Sequence, residues 1–107
     1  MQVWREFKER CALRQKLYDE ALLVSKQLTD MLEDPSIIYV GYVQDPRDLV
    51  RKKQEFDDIV SKYFKECDKA NLLDVFLDPH NVPRQTRHLR LVRNRLHQME
   101  EIRKKFA

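Results

Sequence analysis

The side chains able to do chemistry in this chain are three histidines (His80, His88, His97), two cysteines (Cys11, Cys67), the adjacent acids Glu33-Asp34, Asp57-Asp58 and Glu100-Glu101, and a run of arginines near the carboxyl end. Histidines that share a metal on a helix stand four residues apart, so that both rings face the same way. His80, His88 and His97 do not keep that spacing, and no second cysteine stands close to Cys67 to complete a tetrahedral set. No metal and no cofactor is expected. Cys11 and Cys67 each fall on an apolar helical row, where a thiol behaves as a small hydrophobe, and no basic residue or helix amino terminus evidently activates either one. Both read as inert. Neighbouring acids on a helix splay by about 100°, whereas general acid/base catalysis needs carboxyls converging in a partly dry pocket. A nucleophile elbow, a zinc-binding HExxH and a glycine-rich phosphate loop are all missing. The expectation is a non-enzyme with no catalytic residues.

The arginines are the stronger signal. Net charge over the whole chain is only +3, but the first 83 residues carry 13 basic and 16 acidic side chains, while the last 24 carry 8 basic and 2 acidic. The excess is concentrated at Arg84, Arg87, Arg90, Arg93 and Arg95, followed by Arg103, Lys104 and Lys105. On a helix Arg90, Arg93, His97 and Lys104 gather on the side away from Leu89, Val92, Leu96 and Met99, with Arg87 and Lys105 flanking them, and such a surface could neutralise backbone phosphates. The alternative is a solvated face that answers the acids of the preceding helices, since no aromatic stacking platform and no known nucleic-acid motif accompanies it.

The elements that must position these groups are helical. One glycine in 107 residues leaves almost no supply of the left-handed backbone positions that hairpins and phosphate loops consume. Charged residues make up 36% of the chain and hydrophobic ones 42%, a mixture that suits long amphipathic helices. Leu13, Leu17, Ala21, Val24, Leu28 and Met31 recur at steps of three and four, with a second row through Trp4, Phe7, Cys11, Tyr18 and Leu22, so one helix is expected over about residues 2–33. Asp45, Pro46 and Asp48 read as cap, first helical residue and first-turn acid of a second helix, carried on by Leu49, Phe56, Val60, Tyr63 and Cys67 to about residue 71. Leu89, Val92, Leu96, Met99, Ile102 and Phe106 mark a third, over about 84–106. The fold class expected is all-α: an antiparallel three-helix bundle, one domain over residues 1–107, and a part of a longer protein because the last helix is still periodic at Ala107.

Two segments hold more apolar surface than connections need. Residues 37–43 form the one β-like run, and residues 72–77 (Leu-Leu-Asp-Val-Phe-Leu) read as a short helical turn plugging the bundle end. Ile37, Ile38, Tyr39, Tyr42, Leu73 and Phe76 are the candidate contacts for another protein, either a helix or an extended peptide. The expected function is therefore a non-catalytic interaction module of a scaffold, tethering or regulatory protein. Nucleic-acid binding through Arg84, Arg87, Arg90, Arg93 and Arg95 is the alternative, and a homo-oligomeric coiled coil a third reading. Two cysteines outside any framework spacing, no signal peptide and no run of about 20 apolar residues point to an intracellular setting, cytoplasmic or nuclear.

Overall fold

The computed structural model describes residues 2–33, 46–70, 72–77 and 81–105. They form three long helices, α1 (Gln2–Glu33), α2 (Pro46–Asp68) and α4 (Asn81–Lys105), and one short helix, α3 (Leu72–Leu77). The fold is all-α, a three-helix bundle, with no strand among the described residues.

α2 begins at Pro46, whose missing N–H costs nothing at a first helical position, and it carries Asp48 in its first turn and Lys65 in its last, matching the helix dipole at both ends. α1 has neither an acid in its first turn nor a base in its last. Its 32 residues, about 48 Å of helix, are held by packing instead. α4 starts at Asn81, ahead of the expected 84, and takes Val82 and Pro83 into its first turn, where a proline is tolerated.

Chain direction follows from the contacts. Tyr18 of α1 packs its ring at a tilt against Tyr63 of α2 and hydrogen-bonds His88 of α4. Gln15 meets Gln85. Lys53 near the start of α2 reaches Glu100 near the end of α4. The helices therefore run up, down, up, with α1 packed along α2 and, less extensively, along α4, while α2 and α4 meet at few points. One core joins them, built on Leu17, Ala21, Val24 and Leu28 from α1, Phe56, Val60 and Tyr63 from α2, and Leu89, Val92 and Leu96 from α4. The result is a slender rod of 59 × 19 × 16 Å with a radius of gyration of 17.1 Å, against about 13 Å for a compact domain of this length.

Two details of the helical faces differ from the periodic reading. In α1 the buried positions step by sevens through Phe7, Arg14, Ala21 and Leu28, with Leu17 and Val24 beside them, so Arg14 faces inward while Leu13 is 41% exposed. In α4 the apolar row leaves the core after Met99, and Ile102 lies exposed. The β-like run with Ile37, Ile38, Tyr39 and Tyr42, the Asp45 cap and Phe106 lie outside the described residues.

Candidate functional site

Among the described side chains of α3 the acid is buried and the apolar residues are exposed. Its acid, Asp74, is 1% exposed, whereas Leu72 and Phe76 are each 75% exposed and Leu77 is 49% exposed. A lone carboxylate would not accept that position, because desolvating an unpaired charge costs several kcal/mol. Two guanidiniums from α1 supply the compensation. Arg14 Nη2 donates to Asp74 Oδ1 at 2.8 Å, and Arg10 Nε lies 3.2 Å from Oδ2 and 3.4 Å from Oδ1. Arg10 Nη2 adds an ion-pair contact at 3.1 Å.

Arg14 is itself 3% exposed. Burial alone pulls its guanidinium down, but the hydrogen bond and the charge of Asp74 outweigh that and hold it above its ordinary value. Among the described residues Arg14 Nη1 is buried without a hydrogen-bond acceptor, and Arg10 Nη2 meets Asp74 as an ion pair only. Arg14 Nη2 also lies 3.4 Å from Cys11 Sγ, one turn back on α1. On the α2 side, Tyr63 is wholly buried and donates to Gln85 Oε1 at 3.1 Å, while Gln85 Nε2 donates to Gln15 Oε1 at 2.8 Å. Burial, with a hydrogen bond to Cys67 next in weight, pushes the Tyr63 phenol well above its ordinary value of 10.0, so the hydroxyl keeps its proton. A polar belt thus ties α1, α2 and α4 together beside the ion cluster.

The residues singled out from sequence are placed as follows. Phe76 stands on the outer face of α3, and the side chain of Leu73 is outside the described residues, as are Ile37, Ile38, Tyr39 and Tyr42. Arg84, Arg87, Arg90, Arg93 and Arg95 are all exposed. They fan around α4 rather than forming one row: at 100° per residue, Arg84 and Arg95 share one flank, Arg87 and Arg90 the outer side, and Arg93 the flank toward α2. The guanidiniums of Arg90 and Arg93 lie 5.7 and 5.8 Å from the Phe64 ring of α2. Arg87 Nε donates to Pro83 O at 3.4 Å. Part of this basic surface is therefore spent on bundle contacts.

A groove of about 290 Å³ opens where α2 and α4 diverge, floored by Leu28, Leu32, Phe56 and Leu96, with the 2.6 Å ion pair of Lys53 and Glu100 at its rim. Asp74, Arg10, Arg14, Leu72 and Leu77 are the residues that sequence reasoning passed over. The readable signal was phase: Arg10 and Arg14 stand four apart on the buried side of α1, and an acid interrupts an otherwise apolar hexapeptide. The chain matches no protein-family model, no curated protein and no solved structure.

Proposed function

We propose that the chain is a non-catalytic helical interaction module that docks a partner protein through the outer face of α3. The observation that supports this is the inverted burial of that helix: the acid is inside and Leu72, Phe76 and Leu77 are outside. Clustered apolar surface of this kind on a soluble domain marks a contact more often than it is left bare. The buried Asp74 pair supplies position rather than net stability, because a buried ion pair roughly breaks even against apolar packing while its geometry admits one arrangement. α3 is thereby held as a fixed ridge, and a fixed ridge loses little entropy on docking. The partner that such a ridge fits is a protein with an apolar groove.

The test is site-specific photocrosslinking in cells, with the reactive residue placed at 72, 76 or 77 and, for comparison, at the exposed positions Lys62 and Arg95. A discrete adduct from the α3 positions and none from the other two is expected. Adducts confined to 62 or 95, or none anywhere, contradict the proposal.

The phosphate-binding reading keeps one supporting observation, the exposure of all five arginines of α4. It predicts a steep loss of nucleic-acid affinity with salt, since each neutralised phosphate releases counterions. Salt-insensitive or absent binding removes it.

A further inference from the structure

We propose that the partner of α3 is a second copy of this chain, with the ridge of each copy seated in the groove between α2 and α4 of the other. The inference rests on the docking role of α3 and names what it docks.

Helix phase places ridge and groove on one side of the rod. Asp74 is held by Arg10 and Arg14 of α1, and the groove is floored by Leu28 and Leu32 of the same helix. Arg10 and Leu28 stand 18 residues apart, as do Arg14 and Leu32, which is about five whole turns. α1 therefore turns the same side to α3 and to the groove, at points about 27 Å apart along its axis. Leu72 and Phe76 share the face of α3 about 200° round from the buried Asp74, so they look directly away from α1. The groove, walled by α2 and α4, opens the same way.

At that separation a rigid rod cannot seat its ridge in its own groove. A second rod, turned end for end about a two-fold axis, can. The match is then reciprocal, because the distance from ridge to groove is the same in both copies and the two contacts close on each other. Size agrees. A cavity of about 150 Å³ takes a benzene ring, and the 290 Å³ of the groove admits the Phe76 ring with Leu72 beside it. Charge agrees as well. Asp68, exposed just ahead of α3, and Arg93, exposed at the groove rim, form no ion pair among the described residues, and the two-fold arrangement brings the acid of one copy toward the basic rim of the other. One contact covers only three apolar side chains, well short of the roughly 800 Å² per partner of a standard interface. Two reciprocal contacts double that area and give a weak dimer, with a dissociation constant on the order of 100 µM.

The experiment follows the full chain by sedimentation velocity from about 10 to 1,000 µM, a range that brackets a weak interface. A shift from monomer to dimer mass is expected, stopping at two copies. In a mixture of isotopically light and heavy chains, a photoreactive residue at 76 should join light to heavy through peptides from residues 49–57 or 93–100, which wall the groove. Asn94→Trp fills the groove from an exposed rim position and should cut dimer formation on the order of tenfold or more. If Asn94→Trp loses its helical circular dichroism, the adduct map of the natural sequence decides alone. A chain that stays monomeric at the highest concentration, adducts outside those peptides, or an undiminished dimer in folded Asn94→Trp overturns the proposal. The docking role of α3 fails separately. A monomeric chain whose position 76 crosslinks a different protein in cells overturns the second-copy assignment alone, whereas no adduct in either setting overturns both.

Discussion

Asp74 occupies a buried place in a helix whose Leu72, Phe76 and Leu77 face water, and charge is the reason. A leucine at that position would leave Arg10 and Arg14 buried without a counterion, which is worse than exposing a few apolar side chains. Nothing local to residues 72–77 reveals this, because the partners lie 64 and 60 residues away in sequence. An average over the hexapeptide is apolar, so periodicity alone assigns it to a plug. Tyr63 has the same kind of dependence on distant residues, and it makes a prediction in pH. The folded chain holds the Tyr63 proton above pH 10.0, where an unfolded chain begins to release it. Its contribution to stability is therefore full below that pH and falls as pH rises beyond it. Tyr63→Phe is expected to cost about 1 kcal/mol at neutral pH, through loss of the bond to Gln85. It should also flatten the alkaline decline relative to the natural sequence, as read by urea unfolding at a series of pH values. An equally steep decline in both proteins would show that the phenol is not held.

At the scale of elements, the three long helices were legible because each keeps its three-and-four rhythm for many turns, and Pro46 with Asp48 marked the start of α2 within a residue. The face of α1 was less so. Leu13 and Arg14 adjoin, and choosing between them requires knowing that an acid from α3 waits on the inner side. The junction of α2 and α4 relies on few direct contacts, so Phe64 under Arg90 and Arg93 carries weight there. Phe64→Ala is expected to destabilise by about 2–3 kcal/mol, from lost burial and two cation–π contacts, in chemical denaturation. By contrast, Lys53→Ala should cost less than about 1 kcal/mol, since Lys53 is 48% exposed and the pair with Glu100 is partly screened. Equal losses from the two substitutions would place the strength of this junction at the groove rim rather than at Phe64.

For the molecule as a whole, the rod shape sets the expectation in solution. A monomer should scatter X-rays with a radius of gyration close to 17.1 Å, whereas side-by-side or end-on pairing of rods raises both it and the mass. None of the described helices is long and apolar enough to cross a membrane, which agrees with charged residues making up 36% of the chain. α3 displays Leu72, Phe76 and Leu77 while its acid is locked inward. Urea unfolding of Phe76→Asp beside Asp74→Asn tests that most directly. Phe76→Asp should lie within about 0.5 kcal/mol of the natural sequence, as a solvent-facing substitution does, while Asp74→Asn should lose about 3 kcal/mol or more by leaving buried guanidiniums uncompensated. A large loss from Phe76→Asp with little from Asp74→Asn would mean that α3 sits the other way round, with its apolar face in the core.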